Sequence, residues 1–187
     1  MSFEIEAKLK VDSHKLVSQR LKEAGAQFVA EQVHIDYYFR KTANPEDRPL
    51  RLRELKTAQQ SKVFLTYKGP KEKSLYKRRE EIEFEVSDFD SAKRLLEAIG
   101  YYQALAFEKN RQVWQLGGCE VALDTLPLLG KFIEIEGSDE SVIKKVQNNI
   151  GAGDLEHIKK GYVSLMSKKI AEAGIEERMF FLQRDKK

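Results

Sequence analysis

The sequence predicts an α+β domain in which about eight antiparallel strands close into a barrel, with helices packed outside. Two observations lead to this prediction. First, several segments alternate between apolar and charged residues, as in residues 3–9, where Glu4, Glu6 and Lys8 share one face. Second, the same division recurs in later segments. Strands of this kind suggest a closed sheet whose apolar face meets helices and whose charged face lines the interior.

The composition is that of a single globular domain. The chain has 187 residues, of which 41% are hydrophobic and 34% charged, and its formal net charge is +3. This charge is too small to suggest nucleic-acid binding through bulk attraction. No apolar run approaches the length of a membrane span, and we see no signal peptide. The single cysteine, Cys119, excludes an internal disulfide framework. We therefore expect a cytoplasmic protein without a membrane or nucleic-acid partner.

The elements can be predicted in order from periodicity and turn signals. Strands are predicted at residues 3–9, 27–40, 50–53, 63–68, 76–86, from 101 onward, 120–124 and 132–136. Helices are predicted at about 12–24, 88–99, 138–150 and after 161. Glycines mark the ends of the first two helices, at Gly25 and Gly100, and Gly117–Gly118 indicates a hairpin.

Two further expectations concern packing. The second helix is expected to face inward with Phe89, Ala92, Leu95, Leu96 and Ile99. Residues 1–173 are expected to form the domain and 174–187 a charged tail. From residue 176 that tail should be frayed unless 179–182 dock on the domain.

The charged strand faces carry two complementary sets of side chains. The cations are Lys8, Arg51, Arg53, Lys68, Arg79, Lys109 and Arg111. The carboxylates are Glu4, Glu6, Glu81, Glu83, Asp124, Glu134 and Glu136. Because an unpaired buried charge is costly, such a lining suggests a ligand. Lysine and arginine clusters bind phosphoryl oxygens, and carboxylates bind divalent cations that bridge the same oxygens. A linear triphosphate, free or attached to a nucleotide, fits both sets.

Several motifs resemble those of the CYTH superfamily, the triphosphate tunnel metalloenzymes. Glu4-Ile5-Glu6-Ala7-Lys8 matches the N-terminal ExExK signature. The other motifs, in the expected order, are His34-x-Asp36-x-Tyr38-Phe39, Leu50-Arg51-Leu52-Arg53, Tyr67-Lys68-Gly69-Pro70, Arg79-x-Glu81-x-Glu83, Glu108-Lys109-x-Arg111, Asp124 and Glu134-Ile135-Glu136. The resemblance covers about residues 2–172. It looks closest to the class IV adenylate cyclase (CyaB-like) branch.

The resemblance implies an eight-stranded antiparallel tunnel that binds a triphosphate with Mg²⁺ or Mn²⁺. The implied metal ligands are Glu4, Glu6, Glu134 and Glu136, helped by Asp124. The residues implied to hold the triphosphate and neutralise its charge in catalysis are Lys8, Arg51, Arg53, Lys109 and Arg111, and Lys68 adds to substrate binding.

The remaining candidates for substrate binding have alternative roles. Arg79, Glu81 and Glu83 would line the tunnel in either set, or pair with each other. His34 is better explained as a hydrogen-bonded strand residue than as a metal ligand. Asp36 and Tyr38 could serve structure or nucleotide recognition.

The chemistry leaves three functions open. The favoured one is a cyclase that converts ATP to cyclic AMP and pyrophosphate. The alternative is a triphosphatase that hydrolyses tripolyphosphate, thiamine triphosphate or a nucleoside triphosphate. The third, a non-catalytic module that binds nucleotide or polyphosphate, is disfavoured because the predicted metal carboxylates are all present. The resemblance also allows a homodimer.

Overall fold

A computed structural model describes residues 2–44, 48–71 and 77–183, with side chains omitted for residues 2–4, 71 and 77–79. Within these ranges the strands are β1 Ser2–Val11, β2 Gln27–Arg40, β3 Leu50–Lys56, β4 Ser61–Lys71, β5 Lys77–Val86, β6 Tyr102–Leu116, β7 Cys119–Leu126, β8 Gly130–Gly137 and β9 Met179–Phe180. The helices are α1 Lys15–Glu23, α2 Phe89–Ala98, α3 Glu140–Asn149 and α4 Tyr162–Ala173. No helix in the described ranges is long and apolar enough to cross a membrane.

The eight long strands form one antiparallel sheet, as predicted. Their order is β2-β3-β4-β5-β1-β8-β7-β6, and β6 also pairs with β2. The β2–β6 seam is long, and within the described residues the β1–β5 seam covers Ser2–Glu6 and Lys77–Glu81.

The predicted closed barrel is confirmed only in part: hydrogen-bonded ladders run through all eight strands and return from β6 to β2, but the sheet is curled into a half-barrel whose concave face is open to water. The concave face keeps contact with water along β5, where the side chains of Glu83 and Glu85 are 38% and 51% exposed. The β1–β5 seam lies beside this exposed wall.

The convex face carries two apolar cores under helices. The larger one joins β1, β7 and β8 to α1 and α3, with Leu9, Ile133 and Ile143 fully buried. The smaller one places α2 over β3, through Leu96 and Leu52. The prediction that Leu95 and Ile99 also face inward is wrong, since they are 61% and 51% exposed. Successive helical residues point about 100° apart, so a helix that buries Leu96 turns Leu95 toward solvent.

Helix α4 lies on the concave face, which corrects the prediction that the helices pack outside. Apolar residues share this face with charged ones by strict alternation, as Phe107 does with Lys109, and Phe132 with Glu134. The residues that form this apolar floor are Tyr38, Leu105, Phe107, Leu126 and Phe132. They pack against Tyr162, Met166 and Ile170 of α4.

The chain after α4 docks on the sheet. Strand β9 runs parallel to β6, and the amide of Ala106 donates a 2.7 Å hydrogen bond to the carbonyl of Arg178. Pairing between β6 and β7 ends at Asn110, so β9 covers an adjoining stretch of the β6 edge. Phe180 is buried in the same core as α4, which confirms the docking alternative, whereas Phe181 is 46% exposed.

Candidate active site

Lys8 lies at the centre of the concave face and is 2% exposed. Its Nζ is 2.7 Å from Glu6 Oε1 and 2.8 Å from Glu134 Oε1. Strand geometry brings these groups together, because Glu6 precedes Lys8 by two residues and Glu134 lies directly opposite on β8. Burial alone would lower the pKa of Lys8, but the neighbouring Glu134 and Glu6 outweigh it and raise that pKa. The ammonium group therefore remains charged.

Asp124 is the hub of a second set of contacts and is fully buried. Its Oδ1 accepts a hydrogen bond from Arg111 Nε at 2.7 Å. Its Oδ2 accepts from Arg111 Nη2 at 2.6 Å, from Lys109 Nζ at 3.2 Å and from the Tyr162 hydroxyl at 2.9 Å. Arg111 also pairs with Glu134. In this arrangement Asp124 is a counter-ion for cations. A metal ion would have to compete with these donors for its oxygens.

Lys109 has a lower proton affinity than an ordinary lysine. Burial, followed by the positive charge of Arg111, lowers the pKa of Lys109 to about 8, although Asp124 and Glu134 oppose the shift. Arg53 contributes to the same shift, so β3 and β6 line one electrostatic environment.

Arg53 is fixed by Asp36 on the neighbouring strand. Arg53 Nε and Nη2 donate to the two oxygens of Asp36, at 2.5 and 2.8 Å. Burial would raise the pKa of Asp36, but Arg53 holds that pKa well below its usual range. The Tyr38 hydroxyl also points at Asp36, at 3.5 Å. Of the two alternatives for Asp36 and Tyr38, these contacts favour structural support.

Arg51 of β3 contacts side chains of strands β4 and β5. Its Nη2 contacts Glu83 Oε2 at 2.9 Å, Glu81 Oε1 at 3.4 Å and Thr66 Oγ1 at 3.1 Å. Lys68 pairs with Glu81 as well. The contacts favour the pairing alternative for Glu81 and Glu83, although the pairs they form are with Arg51 and Lys68.

His34 faces the cavity opposite Lys109. Its Nε2 lies 2.7 Å from Gln32 Oε1, and its buried Nδ1 has no hydrogen-bond partner among the residues that the structure describes. Burial, followed by the positive charges of Arg53 and Lys109, holds the pKa of His34 well below its usual range, so the ring is neutral. His34 is thus a hydrogen-bonded strand residue in this structure, and its part in substrate binding stays a prediction.

Carboxylates form a row across three strands on the concave face. Glu6 on β1 lies opposite Glu136 on β8, and Glu136 lies opposite Glu120 on β7. Like charges directly opposite each other destabilise a sheet, and a divalent cation would relieve this repulsion. Carboxylate oxygens also suit Mg²⁺ or Mn²⁺, so the residues fit such a metal. Among the described side chains, no three metal-ligating groups are already gathered around one point.

Three contributors were missed in the sequence. Glu120 could have been found, because it shares the strand face of Asp124 by alternation. Thr66 carries the same signal, because alternation places it on the strand face of Lys68. Tyr162 belongs to a helix whose apolar stripe predicted only packing.

Two predicted site residues, Glu4 and Arg79, have side chains outside the described residues. Their backbones lie opposite each other in the β1–β5 ladder. The other predicted side chains all lie on the concave face.

A family model of the CYTH domain matches residues 2–162. The chain belongs to the CYTH family. The predicted superfamily is thereby confirmed, and the match ends at the first residue of α4. The CYTH domain is 30% identical over 145 residues to the Methanocaldococcus jannaschii protein named "Putative adenylate cyclase MJ0240", covering 76% of this chain and 81% of that protein.

Two solved archaeal structures resemble this CYTH domain along nearly their whole length. The PH1819 protein of Pyrococcus horikoshii is 28% identical, with a TM-score of 0.76, over 89% of this chain and 99% of that one. The PH1012 protein of the same organism is 26% identical, with a TM-score of 0.75, over 87% and 98% of the two chains.

Proposed function

We propose that this CYTH domain is a metal-dependent enzyme that acts on a linear triphosphate held in the concave face of its sheet. The observation that carries the proposal is the convergence of Lys8, Lys109 and Arg111 with Arg51 and Arg53 on that face. Their charges are neutralised at present by carboxylates. A triphosphate with its metal ions would exchange these internal ion pairs for stronger phosphoryl contacts.

The favoured reaction is cyclisation of ATP, which the name of the Methanocaldococcus relative supports. The ribose 3′ oxygen bonds to the α-phosphorus as the bond from that phosphorus to the bridging oxygen of pyrophosphate breaks. The hydroxyl proton passes to solvent or to the departing pyrophosphate. Lys8, Lys109 and Arg111 would hold the anionic chain and stabilise the charge that develops on the leaving group.

Glu6, Glu134 and Glu136, with Glu4, are the residues that would hold Mg²⁺ or Mn²⁺. A bound divalent ion would neutralise phosphoryl charge and orient the reacting oxygens. Asp124 was predicted to help, but its donors favour a role in orienting Lys109 and Arg111. The protein's own contribution is to position the triphosphate, because phosphoryl transfer depends mainly on alignment and electrostatic stabilisation.

A triphosphatase is the second candidate, and one observation favours it. Asp36 and Tyr38 were expected for structure or nucleotide recognition, but Asp36 is engaged with Arg53, and the Tyr38 hydroxyl points at Asp36. The described contacts therefore account for a triphosphate more fully than for a nucleoside. In this reaction water bonds to the terminal phosphorus, and the bond from that phosphorus to the bridging oxygen breaks to release orthophosphate.

Product analysis separates these functions. Purified protein is incubated with Mg²⁺ or Mn²⁺ and either ATP or tripolyphosphate, and the products are resolved by ion-exchange chromatography. Cyclic AMP with pyrophosphate supports the cyclase, and orthophosphate supports the triphosphatase. Tight binding of tripolyphosphate with turnover of neither tripolyphosphate nor ATP would contradict both reactions and leave a binding module.

A further inference from the structure

Tyr162 is an aromatic side chain among the charged groups of the cavity. It is the first residue of α4 and is 7% exposed. Its hydroxyl donates a 2.9 Å hydrogen bond to Asp124 Oδ2. The same ring has the ammonium of Lys8 at 4.3 Å and that of Lys109 at 5.3 Å from its centroid. Packing alone would not account for both a hydrogen bond to a buried carboxylate and two ammonium groups near the ring.

These contacts link Tyr162 to three proposed triphosphate-binding cations. Two of them, Lys8 and Lys109, lie within the range in which an aromatic face attracts an ammonium group. The third, Arg111, is held by the carboxylate that Tyr162 contacts. The attraction of the ring offsets part of the repulsion between the two ammonium groups while the cavity is free of an anion.

The position of Tyr162 is itself fixed by packing. Its ring meets Phe132 edge-on, with 5.2 Å between the centroids. Further along α4, Met166 and Ile170 are buried in the same core, which also contains Phe180 of β9. The helix is therefore anchored at several points, and the phenol can act as a rigid support.

We propose that Tyr162 is a positioning residue, which acts through Asp124 and through its ring to hold Lys8, Lys109 and Arg111 in the arrangement that receives the triphosphate. This inference rests on the proposed function. It assigns to α4 a part in the site, in addition to its part in the core. Asp124 is then the buried counter-ion through which the tyrosine acts.

The test compares Tyr162→Phe, Tyr162→Leu and the control Met166→Leu in the full chain. Inorganic tripolyphosphate with Mg²⁺ is the probe, and its Kd is measured by calorimetry. Tyr162→Phe keeps the ring and removes one hydrogen bond to a charged group, so we expect roughly five- to tenfold weaker binding. Tyr162→Leu also removes the ring, and we expect about a further threefold loss. Met166→Leu, on the same helix, should leave Kd unchanged.

Two further measurements distinguish positioning from packing. In an Asp124→Asn background, Tyr162→Phe should have a much smaller effect on Kd, because the hydroxyl acts through that carboxylate. In turnover assays, KM should rise with Kd while kcat changes little, since Tyr162 is proposed to support ground-state and transition-state binding alike.

The outcomes are distinct for the two proposals. If the wild-type protein binds tripolyphosphate and Tyr162→Phe binds it equally well, the positioning role is refuted and the proposed function stands. If the wild-type protein binds tripolyphosphate but turns over neither it nor ATP, the catalytic proposal fails, and the order of Kd values still decides the role of Tyr162. If the wild-type protein does not bind it, both proposals are overturned.

Discussion

At the residue scale, the candidate site is a set of matched charges and not a set of free ones. Lys8 forms ion pairs with both Glu6 and Glu134, and Arg53 forms one with Asp36. Burying such an ion pair costs free energy unless both partners are well placed. Removing one partner leaves an unpaired buried charge, which destabilises the fold. Substitutions in this cavity are therefore expected to affect stability as well as binding, and each test needs both readouts.

Glu6→Gln tests the metal assignment. The substitution keeps the size of the side chain but removes the charge that a divalent cation would need. We expect the Mg²⁺ or Mn²⁺ concentration that gives half-maximal activity to rise at least about tenfold, while the circular dichroism spectrum stays unchanged. Glu85→Gln is the control, because Glu85 also lies on the concave side but is 51% exposed. Full activity of Glu6→Gln at limiting metal would remove Glu6 from the metal site.

Asp36→Asn tests the buried pair with Arg53 and its pH dependence. Because Arg53 depresses the pKa of Asp36 in the folded state, the stabilisation is complete above the ordinary value of 3.8 and is lost as pH falls below it. At pH 7 we expect the variant to lose about 3 kcal/mol of unfolding free energy. The difference between wild type and variant should begin to shrink below about pH 4 and should vanish only at much lower pH, as pH falls through the depressed pKa of Asp36 in the folded state.

Urea unfolding at a series of pH values measures this effect. Asp154→Asn removes one negative charge from an exposed position and serves as the control. A constant difference between wild type and Asp36→Asn at every pH would show that the effect comes from packing and not from the ion pair.

At the element scale, the apolar floor and the helix packed on it bound the cavity on one side. Helix α4 covers one part of the concave face, and β9 adds Phe180 to the same core. The helix and the strand are thereby tied to the wall of the site, because β6 carries Phe107 in that core and Lys109 in the cavity. The chain beyond α4 belongs to the framework of the site.

Phe180→Ala tests this connection, and Phe181→Ala, at the neighbouring residue, is its control. Removing a buried phenyl ring is expected to lower the free energy of unfolding by about 3 kcal/mol. Phe181→Ala, one residue away and 46% exposed, should change it by no more than about 0.5 kcal/mol. Because Phe180 shares a core with Tyr162, only the first variant should weaken tripolyphosphate binding. Equal unfolding curves for the two variants would contradict the docking of β9 in solution.

At the scale of the whole molecule, cations line both halves of the curled sheet. Lys8, Lys109 and Arg111 belong to β1 and β6, whereas Arg51 and Arg53 belong to β3. An anion long enough to contact both groups would bridge strands that are otherwise joined through the β1–β5 seam or through β2. A triphosphate should therefore stabilise the fold as a unit, and a single phosphate should do so less.

Thermal unfolding with added ligand measures this stabilisation. Tripolyphosphate with Mg²⁺ at about one hundred times its Kd should add about 2.7 kcal/mol to the unfolding free energy. For a domain of this size, each kcal/mol raises Tm by roughly 2–4 °C. Orthophosphate at the same concentration should give a smaller shift, and a chelator should reduce the tripolyphosphate effect. Equal shifts for both anions would argue against a site that spans the two halves.

Much of the site follows from the sequence because a strand alternates its side chains without help from the rest of the fold. Once a strand is recognised, Glu6 must share a face with Lys8, and Lys109 with Arg111. The same rule finds Glu120 beside Asp124. The family motifs then select the strands whose charged faces line the cavity.

The tertiary structure decided which charges meet and what closes the concave face. Asp124 pairs with Arg111, and Asp36 with Arg53, through cross-strand register, which no local pattern encodes. Helix α4 has the amphipathic pattern of any surface helix, so its place on the concave face, with Tyr162 among the lysines, depends on packing between distant segments. The sequence by itself determined the chemistry of the lining. Contacts between residues far apart in the chain determined its geometry.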